Sequence, residues 1–285
     1  MKKGLLVILS LLFSTIVYAN QCSKYWYKEN YEKALTLCKV EAEQGNTESQ
    51  YFLAYMYDVG NGTEPDKQKA IEWFKKAAEQ GDADAQYNLA LMYSNDDGIE
   101  PDKPKALYWY TKSAEQDYPY AQNNLAVMYD NGDGIEQDKQ KALYWYTKAA
   151  EQGHSNAQFK LAFMYSEDES IKQDKQKALY WYTKSAEQDY PYAQNNLAVM
   201  YDGIEQDKQK ALYWYTKAAE GGNTQAPYNL AFLYEKGDGI EQNKSLAKKY
   251  YQLAYKGNSK GACNKFKVIK SVITLFRKIF FNHRF

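Results

Sequence analysis

Two kinds of segment alternate along the chain, and in both of them the apolar residues have helical spacing. In the first kind, Ala121, Leu125 and Met128 stand at positions i, i+4 and i+7, which is one face of an α-helix. In the second kind, Ala106 and Trp109 begin a similar pattern at i and i+3. The pattern predicts pairs of amphipathic helices, which we call helix A and helix B of each pair.

The helix pair recurs at a nearly constant period. The repeated segment of helix A (SQYFLAYMY and its equivalents) begins at positions 49, 85, 121, 157, 193 and 226, so the step is 36 residues four times and then 33. The tryptophan of helix B follows the same steps. Because one pair cannot bury its own apolar face, successive pairs must stack. The sequence predicts an all-α protein, an α/α solenoid of about six helix-turn-helix repeats.

The connections between the helices carry turn and capping residues. Gly81 and Gly153 follow helix B, where a residue with left-handed backbone ends a helix. An aspartate recurs just before helix B, where its carboxylate can accept hydrogen bonds from the first turn. These aspartates are Asp66, Asp102, Asp138, Asp174 and Asp207.

Part of the repeat array is duplicated. Lys105–Asp130 is identical to Lys177–Asp202, and Gly134–Glu151 is identical to Gly203–Glu220. The second copy lacks the three residues at 131–133 (Asn-Gly-Asp). An array that changes by adding units disfavours a fixed catalytic geometry and favours an extended binding surface.

The repeated motif resembles a known family. It consists of A-x-x-x-L-A-x-x-Y, a glycine-containing loop, an aspartate, and K-A-x-x-W-Y/F-x-K-A-A-E-Q-G. This closely resembles the Sel1-like repeat, a relative of the tetratricopeptide repeat, and the resemblance covers residues 27 to 260. One position departs from the family: an alanine, such as Ala126, stands where glycine usually follows the helix A leucine. The resemblance implies a right-handed superhelix that supports protein–protein contacts.

The N-terminus has the features of a signal peptide, which we assign to residues 1–19. Lys2 and Lys3 precede the apolar segment Leu5–Val17, and Val17 and Ala19 provide the small residues that signal peptidase requires. A segment of 13 residues is too short to span a bilayer, which disfavours the alternative of an uncleaved anchor. The sequence predicts cleavage after Ala19 and a periplasmic or secreted bacterial protein.

Residues 20–46 resemble a degenerate helix B and are predicted to form an N-terminal capping helix. Cys22 and Cys38 lie in or beside this segment. Export favours disulfides, so these two cysteines are a candidate pair, with two free thiols as the alternative. Cys263 would then remain unpaired, as a small buried apolar residue or as a reactive thiol.

The repeat array is assigned to residues 47–260, and a basic amphipathic helix is predicted at 261–285. In this last segment Phe266, Ile269 and Ile273 share a face, and Lys267 and Lys270 lie opposite. The apolar face would cover the last repeat as a cap. The alternative is peripheral contact with an anionic membrane surface through residues 264–285.

Composition and charge narrow the classes of function. The chain of 285 residues has 36 basic and 36 acidic residues, but the segment 20–263 holds 28 basic against 36 acidic. An acidic body gives no basic surface for nucleic acid, so no nucleic-acid partner is expected. With two histidines and three cysteines, no metal site and no cofactor are predicted.

Neither histidine stands in a catalytic arrangement, and no catalytic residue is predicted. His154 falls in a repeat turn and His283 in the basic tail, and both are expected to be solvated surface residues. The glycines recur in turns rather than in a phosphate-binding loop.

Partner binding is assigned to positions of helix A that lie off the core face, on the concave surface that the family resemblance implies. Rows of exposed apolar and aromatic residues mark partner sites. The twelve positions are Tyr51, Tyr55, Tyr87, Leu91, Asn123, Val127, Phe159, Phe163, Asn195, Val199, Tyr228 and Phe232.

The chain has 29 tyrosines, and a second set of them lies on helix B. Each of these precedes the helix B tryptophan, and together they form a secondary candidate surface. The alternative, slightly favoured, is that each one packs over its neighbour's surface. They are Tyr108, Tyr144, Tyr180 and Tyr213.

These observations predict a non-catalytic protein–protein interaction scaffold or adaptor, exported to the periplasm, that binds a partner protein or peptide on the concave surface. Alternatives are a periplasmic immunity protein or a secreted host-interaction factor. A different class is a binder of cell-wall glycan or membrane lipid, which would use the helix B tyrosines and the basic tail.

Overall fold

The computed structural model describes residues 21–94, 100–204, 206–237 and 239–257. Within these ranges the chain forms helices and no strand. The predicted signal peptide at 1–19, the basic segment at 261–285 and Cys263 lie outside the described residues.

Fourteen helices account for the described part of the chain, and helices that follow one another pack together in both units. They are α1 (Gln21–Trp26), α2 (Tyr31–Glu43), α3 (Thr47–Val59), α4 (Lys67–Glu79), α5 (Ala83–Ser94), α6 (Lys103–Ala114), α7 (Pro119–Asn131), α8 (Lys139–Glu151), α9 (Ser155–Glu167), α10 (Lys175–Ala186), α11 (Pro191–Gly203), α12 (Lys208–Glu220), α13 (Ala226–Lys236) and α14 (Lys244–Lys256). Helix A of each repeat is an odd-numbered helix from α3 to α13, and helix B is the even-numbered helix that follows it.

The helices group into two compact units, Met1–Ala149 and Ala150–Phe285, which we call unit 1 and unit 2. In both units alanine and leucine of helix A are fully buried, as at Leu89 in unit 1 and Leu197 in unit 2. The small alanines let neighbouring helices approach, and a buried tyrosine of helix B, such as Tyr110 or Tyr182, fills the space between them. The pairs therefore stack as the hydrophobic pattern predicts.

The predicted N-caps are confirmed. The Asp102 carboxylate accepts a hydrogen bond from the backbone N–H of Lys105 at 3.0 Å, and Asp66, Asp138, Asp174 and Asp207 make the same bond. After helix B, Gly81 and Gly153 have φ of 96° and 90°. In the repeat that follows Gly81, Asp117 occupies the equivalent position after helix B and has φ of 60°. A short polar side chain tolerates this left-handed conformation.

A buried glutamine near the start of helix A ties successive repeats together. The Gln86 amide donates to the carbonyl of Ala78 at 3.0 Å, and Gln158 donates to Ala150 at 3.0 Å. These carbonyls belong to the last turn of the preceding helix B, and each also accepts a hydrogen bond from the backbone N–H of the glycine that follows, Gly81 or Gly153, at 3.0 Å. The glutamine adds a second hydrogen bond, which links the end of helix B to the next helix A.

The N-terminal segment contains two helices where the sequence analysis expects one. Glu29 has φ of 55° and separates α1 from α2, and the Asn30 side chain caps α2 through the N–H of Lys33. A disulfide joins Cys22 of α1 to Cys38 of α2. Both cysteines are fully buried, so α1 closes the first end of the core in unit 1.

Candidate functional site

The twelve residues assigned to partner binding all lie on A helices, and their exposure differs between the units. In unit 2 the side chains of Phe163, Val199 and Phe232 are 44%, 47% and 43% exposed. The half-buried members of the set are Tyr51, Tyr55, Tyr87, Leu91, Val127, Phe159 and Tyr228. The apolar surface of the A helices is therefore more accessible in unit 2 than in unit 1.

Two of the twelve residues are not at the surface. Asn123 and Asn195 are only 7% and 5% exposed, which corrects the prediction that they lie off the core. The Asn195 carbonyl oxygen accepts from the amide of Asn229 at 3.0 Å, and its amide donates to Asn196 at 3.2 Å. Asn195 therefore faces the neighbouring A helix rather than solvent.

In unit 1 the predicted residue Tyr87 belongs to a cluster of four tyrosines. Its ring centroid lies 6.0 Å from that of Tyr110, 5.2 Å from Tyr118 and 6.1 Å from Tyr120. Tyr118 and Tyr120 flank the proline that begins α7, so the Tyr-Pro-Tyr turn places two rings over the preceding A helix. The cluster joins the edge of the A helices to the core.

Acidic groups beside this cluster change its electrostatics. Burial, together with the carboxylates of Asp84 and Asp82, raises the pKa of Tyr51 to about 12. Burial and a hydrogen bond to Asp84 also raise the pKa of Tyr118. Burial raises the pKa of the Asp82 carboxyl as well. These hydroxyls stay protonated at neutral pH and act as hydrogen-bond donors on the helix A side of unit 1.

Unit 2 repeats this arrangement with a phenylalanine at the centre. The ring of Phe159 lies 5.9 Å from Tyr182, 5.4 Å from Tyr190 and 6.3 Å from Tyr192. The Asn156 amide donates to the Tyr190 hydroxyl at 2.8 Å. The duplicated Tyr-Pro-Tyr turn therefore performs the same packing in both units.

The helix B tyrosines lean on their own tryptophans. Tyr108, Tyr144, Tyr180 and Tyr213 are 53–55% exposed, and each ring packs edge-on against the next residue with centroids 4.8 or 4.9 Å apart. This contact matches the packing alternative of the sequence analysis. Half of each ring nevertheless remains available to solvent.

A cavity of about 440 Å³ opens in unit 2 among α9, α10 and α11. Its apolar lining is formed by Phe163, Val199, Met200 and Ile204. The side chains of Lys175 and Glu167 contribute a charge of each sign. We call this cavity the unit 2 cleft. Phe163 and Val199 are among the residues predicted from the sequence, whereas Lys175 and Ile204 are not. The signal in the sequence that could have found them is the absence of the segment equivalent to 131–133.

His154 is not the solvated surface residue that the sequence analysis expects. It is half-buried, and its Nδ1 accepts from the backbone N–H of Ala157 at 3.2 Å, which caps α9. Burial lowers the pKa of this imidazole.

The described residues contain no cluster of three or more His, Cys, Asp or Glu side chains that could bind a metal. In the same residues, no helix has the length and apolar character needed to cross a membrane.

Known proteins share this architecture. Comparison with solved structures finds c5321, a protective antigen of uropathogenic Escherichia coli strains with an SLR fold, at 33% identity and a TM-score of 0.84. The match covers 90% of this chain and 56% of c5321, so this chain spans little more than half the length of that protein. A Sel1 repeat protein from Oxalobacter formigenes matches at 34% identity and a TM-score of 0.73, over 83% of this chain and 96% of that one. No curated protein matches the chain.

The family model agrees with the structural period. The Sel1 repeat model matches six times, at residues 47–82, 83–118, 119–154, 155–190, 191–223 and 224–259. Each match contains one A helix and one B helix of the structure. Sel1 repeats generally mediate contacts between proteins. By its sequence motifs, its helix pairs and these six matches, the chain belongs to the Sel1 repeat family.

Proposed function

We propose that this protein is exported and that its A helices bind another protein or a peptide in the periplasm or outside the cell. The observation that carries the proposal is the set of accessible apolar side chains on the A helices of unit 2. Phe163, Val199 and Phe232 are each more than two-fifths exposed, although the equivalent Leu91 and Val127 are half-buried. Exposed apolar side chains beside hydrogen-bonding groups are typical of partner surfaces.

Polar groups near these side chains would give the surface its specificity. Tyrosine hydroxyls and asparagine amides lie among the apolar residues, as at Tyr190 and Asn156 in unit 2. A partner segment that contacts the A helices would bury its apolar residues and meet these donors and acceptors at nearly regular intervals. A solenoid of repeats thus suits an extended peptide or a helix of a partner protein.

Truncating one exposed helix A residue should weaken partner binding. Phe232→Ala removes an accessible ring, and we expect a loss of affinity of about tenfold. The matched control is Tyr213→Ala, which removes a ring of similar exposure from helix B. The measurement is quantitative cross-linking and mass spectrometry of partners from a periplasmic extract, with circular dichroism to verify folding. An equal effect of both variants would contradict the assignment to the A helices.

Export is testable on the mature chain. The apolar segment Leu5–Val17, the small residues before Asn20 and a buried disulfide all support secretion. Intact-mass measurement of the purified periplasmic fraction should find a chain that begins at Asn20. A Val17→Glu plus Ala19→Glu variant removes the residues required by signal peptidase and should accumulate uncleaved. Recovery of the unaltered chain with Met1 in the cytoplasm would contradict the proposal.

A further inference from the structure

The loop between helix A and helix B covers the start of the preceding helix B. In three repeats a glycine with φ of 70–73° packs on the first residue of that helix: Gly62 on Tyr31, Gly134 on Lys103 and Gly239 on Lys208. A Cβ at Gly62 would lie 2.7 Å from the Tyr31 carbonyl oxygen, so no larger residue fits without movement. In these three repeats the loop is therefore in close contact with the start of the preceding helix.

Unit 1 shows what this loop does when it is complete. Asp133 of the loop forms an ion pair with Lys103, with Oδ2 and Nζ 2.8 Å apart. The same ammonium group donates to the Ser94 carbonyl at 3.0 Å. Ile135, which ends the loop, packs half-buried against the core of unit 1. The loop thus fills the space beside helix B with one carboxylate, a glycine backbone and one apolar side chain.

The duplicated copy in unit 2 has lost this loop. The segment equivalent to 131–133 is absent, and Gly203 now ends α11, where a Cβ would meet nothing within 4 Å. Ile204, the equivalent of Ile135, is 46% exposed. The cleft of about 440 Å³ lies where the complete loop packs in unit 1. Three residues that line it, Lys175, Ser166 and Ile204, are the equivalents of Lys103, Ser94 and Ile135 at the complete loop of unit 1.

Lys175 is the charged residue that the deletion leaves behind. At the same position of helix B, Lys67 and Lys208 pair with an aspartate of their own helix A, at 2.9 and 2.7 Å. In α9, the helix A that precedes Lys175, Ser166 stands in place of that aspartate, and in α5 Ser94 does. Lys103 compensates through Asp133, but Lys175 forms no ion pair with any of the described residues. A carboxylate is thus the group that the cleft lacks relative to its duplicate.

We propose that the unit 2 cleft binds a turn of a partner protein that replaces the missing loop. The turn would present one carboxylate to Lys175 and a small-residue backbone with one apolar side chain to Phe163, Val199 and Ile204. Glu167 lies in the same cleft and would repel a second acidic residue, which restricts the turn to one carboxylate at this point. This inference rests on the proposed function and names the chemistry of the partner.

A peptide copied from the intact loop tests the proposal directly. The probe is a peptide of residues 129–137 (Tyr-Asp-Asn-Gly-Asp-Gly-Ile-Glu-Gln), titrated into the isotope-labelled full chain and followed by amide chemical shifts. We expect weak, saturable binding, with the largest shifts at Phe163, Val199 and Ile204. A peptide with Asp133→Asn should bind about threefold to fivefold more weakly, since an accessible ion pair contributes modestly. Shifts confined to other parts of the chain would overturn the proposal.

Two variants make the test specific. Insertion of Asn-Gly-Asp between Asp202 and Gly203 rebuilds the loop and should abolish peptide binding, while the circular dichroism spectrum stays unchanged. Lys175→Met keeps the aliphatic contact but removes the charge, so the original and Asp133→Asn peptides should then bind equally. If the insertion variant binds the peptide as well as the parent chain, the cleft is not the site. If Lys175→Met still discriminates between the peptides, the carboxylate contact is wrong.

The outcomes also separate this inference from the proposed function. Loss of partner capture in Phe232→Ala, with no effect of the loop insertion, would remove the cleft and leave the surface of the A helices. The opposite result would limit partner binding to the cleft. If the chain self-associates and the loop insertion prevents this, the occupant is a second copy of the chain and the assignment to a partner protein fails.

Discussion

Raising the pH above 10 should unfold this protein steeply, because five repeats each bury a tyrosine at the same position of helix B and four of these tyrosines have a raised pKa. The side chains of these tyrosines are at most 3% exposed. Burial raises the pKa of all four phenols above the usual value of 10.0, and nearby Asp130 and Asp202 raise two of them further. The four residues are Tyr110, Tyr146, Tyr182 and Tyr215.

The direction of the effect follows from proton binding in the two states. Below pH 10 the phenols are protonated in both the folded and the unfolded chain, so the free energy of unfolding is unaffected. Above pH 10 the unfolded chain releases these protons more readily than the folded chain, which stabilises the unfolded state. Each tyrosine that stays protonated in the folded chain lowers the free energy of unfolding by about 1.4 kcal/mol per pH unit, so the upper limit for four is about 5 kcal/mol per pH unit.

Urea unfolding at a series of pH values between 8 and 11, followed by circular dichroism and tyrosinate absorbance, measures this slope. The matched variant is Tyr146→Phe, which should reduce the slope by about 1.4 kcal/mol per pH unit. Phenylalanine is accommodated here, since Phe74 is fully buried at the equivalent position of the first repeat. A slope that is the same in the variant and the parent chain would show that Tyr146 ionises equally in both states.

Reducing the disulfide should release α1 and lower the free energy of unfolding by about 3 kcal/mol. This is the value expected for a crosslink that closes a loop of about 16 residues in the unfolded chain, and Cys22 and Cys38 are 16 residues apart. A helix of six residues, the length of α1, is not stable by itself in water. Its position therefore depends on what attaches it to α2.

The second attachment is a buried carboxylate. Glu41 of α2 is 3% exposed, and its Oε1 accepts hydrogen bonds from the backbone N–H groups of Gln21 and Cys22, both at 3.2 Å. Its Oε2 accepts from the Ser49 hydroxyl at 2.6 Å. Glu41 thus caps the first turn of α1 and links it to α3. These bonds position α1 only while the disulfide keeps it close.

Urea unfolding and limited proteolysis, each with and without reductant, test this prediction. Reduction should shift the unfolding midpoint to lower urea and expose cleavage sites before Tyr31. The double variant Cys22→Ser plus Cys38→Ser should match the reduced parent chain and should not respond to reductant, which controls for effects elsewhere. Equal stability of oxidised and reduced chains would show that Glu41 and apolar packing suffice to hold α1.

Much of the local structure could be predicted from the sequence, because it depends on short-range rules. Asp102 caps helix B as its position before an apolar run predicts, since the bond runs to a residue only three positions away. The repeat period predicted the stacking of helix pairs for the same reason: each apolar face requires a neighbour. Predictions failed where the environment comes from another repeat. The sequence predicts Asn195 off the core face of its own helix, but Asn229 covers it.

The unit 2 cleft likewise depends partly on features that the sequence reveals and partly on packing between repeats. The missing residues at 131–133 are visible in the sequence, as is the duplication that reveals them. The sequence does not reveal that Lys175 and Ile204 line one cleft. These residues belong to consecutive repeats and come together only when the helices pack. Contacts between residues distant in the chain depend on packing geometry, which a single repeat does not contain.

The amino-acid sequence alone therefore determined the family, the helices and their caps, because periodic apolar residues and local hydrogen bonds leave few alternatives. Only the tertiary structure decided which helix A residues remain accessible, which tyrosines are buried, and where an absent loop leaves a cleft. Exposure of a side chain is set by the neighbouring repeat as much as by its own helix. The regular sequence thus produces two units whose accessible surfaces differ.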